Sequence, residues 1–139
     1  MQLRYRPTAL AALLLMTLVG PTGFAQNASS SPPRDARGVY TDAQAARGEA
    51  TYRANCTSCH TTSAHSGDGF IRGWDTAFDL FELIRTTMPI DNPGRLSREQ
   101  YVDIVAYLFK LNRLPPGNRE LPADDERLKQ TRIEAKPAP

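Results

Sequence analysis

Cys56-Thr57-Ser58-Cys59-His60 is the stretch on which the reading of this chain turns. Residues three or four apart share one side of a helical turn, so two thiols at this spacing can reach two vinyl groups while the next imidazole sits beneath an iron. The spacing is that of c-type haem attachment. Three other chemistries compete for the same residues. A disulfide is the ordinary fate of two cysteines in an exported chain, but a three-residue separation closes almost no loop and would constrain the unfolded chain weakly. Zinc needs four ligands, and past Ala25 the sequence offers only Cys56, Cys59, His60 and His65 as thiols and imidazoles, crowded well inside finger spacing. A thiol redox pair belongs beside a strand-helix-strand pattern, and none is visible. One covalent haem c, joined to Cys56 and Cys59 with its iron on His60, uses both thiols and the imidazole of the motif.

The partners of a His-ligated c-type haem are chiefly Met and His. Of three methionines, Met1 and Met16 fall in the leader described below, which leaves Met88; His65 is the other histidine. His65 would have to round the haem edge in five residues, roughly 17 Å at full extension at about 3.3 Å each. Met88 stands far enough beyond His60 along the chain for a loop and a helix to pass the ring and present the thioether from the far side. A methionine can equally fill a core gap; with a haem present, Met88 is the expected sixth ligand and His65 a solvated loop residue in the polar stretch 61–68.

The start of the chain sets its compartment. Arg4 and Arg6 precede an apolar run from Ala9 to Val19, and Gly23-Phe24-Ala25 presents small residues for signal cleavage. The run is shorter than the roughly 20 residues a bilayer span requires. A secretory signal over residues 1–25 is therefore expected, with no stable membrane span; the bacterial periplasm as its destination is what the family resemblance given below implies. Cleavage would leave 114 residues, one small domain. It would also lower the basic residues from 17 to 15, equal to the 15 acids, so the basic balance of the full chain disappears with the leader. No basic stripe suggests nucleic acid.

Residues 26–40, with Ser29-Ser30-Ser31 and Pro32-Pro33, read as a flexible linker. A first helix is expected from Thr41, where Thr41-Asp42-Ala43-Gln44 has the form of a capping box, to about Asn55. A second spans Thr76 to Thr86 with Asp75 as N-cap and Pro89 beyond its end. The third follows Ser97-Arg98-Glu99-Gln100, with Tyr101, Ile104, Val105, Leu108 and Leu111 at helical spacing, and stops at Pro115-Pro116-Gly117. In the proline-rich tail, 115–139, a short helix after Pro122 competes with a frayed end; Asp124, Asp125 and Glu126 at its start and Lys129 and Arg132 near its end suit the helix dipole. The domain, 41–114, is expected to be all-α.

With these residues in place, the chain resembles the class I c-type cytochromes, and more narrowly the monohaem domains that accept electrons from bacterial periplasmic quinoprotein dehydrogenases. The likeness rests on Gly48 and Tyr52, Cys56 to His60, Thr87-Met88-Pro89, and Asp103-Ile104-Val105-Ala106-Tyr107-Leu108. It implies a small fold of three main helices around one covalent haem. It also implies that the first and last helices cross closely, with Gly48 at the crossing. Relatives commonly carry a proline soon after the motif, in the region that supplies a carbonyl to the proximal imidazole; Thr61-Thr62-Ser63-Ala64 has none, which leaves the partner of His60 unassigned. Arg72 and Trp74 are candidate donors to the haem propionates.

Two protein axial ligands leave no open iron position, so the expected task is single-electron transfer, not catalysis. The resemblance implies a periplasmic dehydrogenase as donor and a terminal oxidase or another cytochrome as acceptor. The competing functions are a haem peroxidase or gas-binding protein with a displaceable distal ligand, and a thiol-disulfide oxidoreductase.

Overall fold

The computed structural model describes residues 34–35 and 38–133. The expected export signal, most of the expected linker and the end of the tail lie outside the described residues. Element order is β1 (Arg34–Asp35), α1 (Asp42–Asn55), a 3-10 turn (Thr62–His65), α2 (Asp68–Ile71), α3 (Ala77–Thr87), α4 (Arg98–Leu111), α5 (Asp125–Lys129) and β2 (Thr131–Arg132). The architecture is all-α; the strands are a two-residue parallel pairing, Arg34 with Thr131 and Asp35 with Arg132. Among the described residues no helix is long and apolar enough to cross a membrane.

Local chemistry sets the helix starts. Ser97 Oγ accepts from Gln100 N while the Gln100 side chain accepts from Ser97 N, the reciprocal box the sequence predicts. At α3 the cap is Thr76 and not Asp75, because Asp79 completes a box with Thr76 from three residues on. Thr41 does cap α1. Gln44, however, turns away from its own helix: its Nε2 donates to Leu121 O at 3.0 Å and its Oε1 accepts from Leu121 N at 2.8 Å. A buried amide needs both partners, and the backbone of residue 121 supplies them together.

The core lies between α1 and α4. Gly48 is buried where they cross, and a Cβ there would stand 1.8 Å from Asp103 O. Tyr101 through Phe109 are all buried, so α4 is enclosed on every side. Its one buried acid, Asp103, accepts two bonds from Arg47, at 2.9 and 3.0 Å, and the same guanidinium spans to Glu120 at 2.9 and 3.0 Å. One side chain thus joins α1, α4 and the segment after residue 114.

The packed unit is larger than the expected 41–114. The linker expected through residue 40 gives way before its end, since Tyr40 is fully buried and its hydroxyl donates to Leu114 O at 2.5 Å. Gly38 N donates to Pro115 O and Gly117 N to Tyr40 O, both at 2.7 Å. Past Pro115 the chain buries Leu121, Leu128 and Ile133, and the tail helix forms with Asp124 as its cap. Those apolar side chains are spread too irregularly to register as a periodic pattern, yet each enters the common core.

Candidate functional site

The end of α1 arranges the pentapeptide. Cys56 N donates to Tyr52 O at 2.8 Å, and Cys56 O accepts from both Cys59 N at 3.2 Å and His60 N at 2.9 Å. The chain therefore winds on for one further turn past the helix, with the two thiols and the imidazole on the same cleft. Both thiols are free, Cys56 half-buried and Cys59 exposed. Burial pushes the Cys56 thiol up in pKa, and Arg95 opposes this only partly.

The cleft has a volume of about 320 Å³, within the range of small-molecule and cofactor sites. Cys56, Cys59 and His60 line it together with Met88, from the end of α3. Met88 caps that helix: its N–H donates to Ile84 O at 2.9 Å, and its carbonyl accepts from Tyr101 Oη at 2.7 Å, a buried tyrosine of α4. Leu80, Leu83, Ile84, Ile104 and Leu108 provide much of the apolar wall. Leu83 and Ile90 remain exposed at 46% and 78%, the two large apolar side chains of the described residues that the protein itself leaves uncovered. On the rim, Arg95 Nη2 donates to Asn55 Oδ1 at 3.0 Å and ties the segment after Met88 to the end of α1.

Two side chains depart from expectation. His65 is not a solvated loop residue: it is half-buried and lines the cleft, with Nδ1 at 2.8 Å from Tyr52 Oη and its ring centroid 4.7 Å from that of His60. Burial, followed by the neighbouring His60, holds its pKa below the ordinary histidine value. Nothing in the polar run 61–68 signals this, because its cause is Tyr52, on α1, and Asn112, which donates to His65 O at 2.9 Å. Of the two candidate propionate donors, Arg72 pairs with Asp68 on the surface at 3.1 Å and is absent from the cleft wall, whereas Trp74 lines the cleft. Trp74 Nε1 is buried with no hydrogen-bond partner. An indole N–H in that state costs free energy unless an acceptor meets it.

These residues fit a covalently attached haem. The donor set of two thiols, an imidazole and a thioether faces one apolar cleft, and the orphaned Trp74 N–H is suited to an anionic acceptor. They do not make a metal cage: among the described residues no group of three or more His, Cys, Asp or Glu side chains is arranged to hold an ion directly.

Residues 43–108 match the family model described as cytochrome c oxidase, cbb3-type, subunit III. The matched span runs from the first turn of α1 to the last turn of α4, and so contains the pentapeptide, the cleft and Met88. No curated protein and no solved structure gives a significant match to the chain.

Proposed function

With residues 43–108 a class I c-type cytochrome domain, which carries a covalent haem c and its iron and serves haem-based electron transfer, we propose that this chain is an exported periplasmic carrier of single electrons. The haem supplies one-electron redox chemistry when bound. Cys56 and Cys59 would hold the macrocycle through thioether bonds, and His60 and Met88 would ligate its iron. The observation that carries this reading is the convergence of all four side chains on one cleft, three of them from the turn after α1 and one from the end of α3.

The protein's own contribution is positional. The turn at Cys56 O presents the thiols and the imidazole in sequence from a single backbone acceptor. Tyr101 holds the Met88 carbonyl from α4, so the thioether departs from an anchored backbone. A neutral, soft sulfur favours ferrous over ferric iron and raises the potential relative to a second imidazole. Trp74 Nε1 is the donor reserved for an anionic edge of the macrocycle. Apolar side chains at the mouth, Leu83 and Ile90, and the near-zero charge expected of the processed chain suit docking by a modest apolar patch more than long-range steering. A periplasmic dehydrogenase is the donor this reading favours, with a terminal oxidase or another cytochrome as acceptor, and the chain is a carrier and not an enzyme.

The test is Met88→Ala in protein matured with haem-attachment machinery. The ferrous form should bind carbon monoxide, the ferric form should lose its weak long-wavelength sulfur-to-iron band, and the potential should fall. Met88→His should stay six-coordinate at lowered potential. Cys56→Ala with Cys59→Ala should abolish haem staining after denaturing electrophoresis. If unaltered protein already binds carbon monoxide readily, the gas-binding or peroxidase alternative replaces the carrier; if Met88→Ala keeps the parent spectrum and excludes carbon monoxide, Met88 is a core residue only.

A further inference from the structure

Met88 is the C-cap of α3, an eleven-residue helix that packs its inner side on α4. Its outer side is held by the segment following residue 120. Leu128 of α5 is fully buried in the common core, and Lys129 Nζ lies 5.0 Å over the ring of Phe78 in the first turn of α3. Arg98, at the start of α4, donates to Ala123 O and to Asp125 while its guanidinium stands 4.7 Å over the ring of Phe81. The chain then turns into β2, where Arg132 bridges Thr76, the cap of α3, and Ile133 N donates to Asp75 O at 3.0 Å. Asp75 follows Trp74 directly, so the same contact fixes the backbone that presents the unpartnered indole.

We infer that residues 121–133 are a brace that positions α3, and through it Met88 and Trp74, against the haem. The segment lies wholly outside the span matched to the cytochrome family, 43–108, and none of its side chains lines the cleft; it acts by holding the residues that do. The inference rests on the reading of Met88 as the sixth ligand. Loosening the start of a helix whose far end carries a ligand lets that end recede, so a small external ligand competes more successfully for the iron.

The experiment uses the holoprotein and ferric imidazole binding followed by the Soret shift, well below the melting temperature of every variant. Ile133→Pro removes the one N–H that bonds Asp75 and keeps an apolar side chain; a truncation after Gln130 removes the whole contact with 75–76 and leaves Leu128 in place. Val105→Ala, in the buried α4 wall away from the cleft, is the control for general loosening. Ile133→Pro should tighten imidazole binding roughly threefold to tenfold, the equilibrium effect of one net hydrogen bond, and the truncation should do at least as much. Val105→Ala should leave it unchanged even where it lowers the melting temperature further. Equal tightening in the control, or none in both brace variants while Met88→Ala binds imidazole far more tightly than the parent, overturns the brace and leaves the ligand assignment standing. If Met88→Ala itself binds imidazole no more tightly than the parent, the ligand assignment fails and the brace with it.

Discussion

Gly48→Ala isolates the helix crossing on which the cleft is built. In an open helix this change gains about 1 kcal/mol from propensity. Here the added Cβ would stand 1.8 Å from Asp103 O, 2.4 Å from Asp103 C and 3.0 Å from Ile104 N, all backbone atoms of α4. Ordinary contact begins near 3.4 Å, so the two helices must part by well over an ångström, and no flexible side chain is present to absorb it. Separation would stretch both bonds between Arg47 and Asp103, now 2.9 and 3.0 Å, and open voids along the buried row of α4. Overpacking costs about 1–3 kcal/mol when side chains can adjust; against backbone the upper end, a net loss of about 3 kcal/mol, is expected. For a domain of this size that lowers Tm by about 12–24 °C. The assay is thermal unfolding of the holoprotein by far-ultraviolet circular dichroism, with urea unfolding to verify that the m-value is unchanged. Gly69→Ala is the internal comparison, because Gly69 lies in α2 and a Cβ there meets nothing within 4 Å; with no clash to offset the gain in helix propensity, its Tm should be no lower than the parent's and at most about 4–8 °C higher. A Gly48→Ala protein that melts with the parent would refute the reasoning from close approach.

Two smaller perturbations follow from the hydrogen bonds around the core. Tyr101→Phe removes the donor to Met88 O and leaves that carbonyl unpaired, which should cost about 1–3 kcal/mol in urea unfolding and raise imidazole affinity of the ferric protein; stability and affinity both equal to the parent would show that the 2.7 Å contact contributes nothing. Tyr40 gives a pH dependence: burial, with a contribution from Asp42, pushes its phenol from 10.0 up to about 12. Because the folded chain keeps this proton when the unfolded chain has lost it, the group's contribution is complete below pH 10 and disappears as the pH rises through 12. At about 1.4 kcal/mol per pKa unit the loss approaches about 3 kcal/mol. Stability measured from pH 9 to 12 should therefore fall less steeply for Tyr40→Phe, whose own loss is the bond to Leu114 O, and parallel slopes would discount the phenol.

Local signals in the sequence suffice for the scaffold. Ser97 and Gln100 sit three residues apart and need only each other, and the spacing of Tyr101, Ile104, Val105 and Leu108 marks a helix whatever surrounds it. Gly48 is legible only through resemblance, since its reason, Asp103, lies on another helix far along the chain. Gln44 shows the opposite case: its spacing from Thr41 is that of a capping box, but Leu121 offers a backbone donor and acceptor at once, and the distant partner wins. The pentapeptide stands out in the sequence because its spacing restricts residue type and order within five positions, and Met88 because few methionines compete; the structure brings Cys56, Cys59, His60 and Met88 to one cleft. His65 and the segment 121–133 are not, because their places are set by Tyr52, Asn112, Asp75 and Thr76, contacts that no periodicity encodes.

The parallel pairing of β1 with β2 has a mechanical side. In a parallel ladder the leading end of one strand and the trailing end of the other lie at opposite ends of the rungs. Tension applied through residues preceding Arg34 and following Arg132 would therefore load the Arg34–Thr131 and Asp35–Arg132 rungs in shear, together, where an antiparallel pair pulled from adjacent ends would unzip one rung at a time. Arg132 also bridges Thr76, so the second of these rungs and the cap of α3 share a residue.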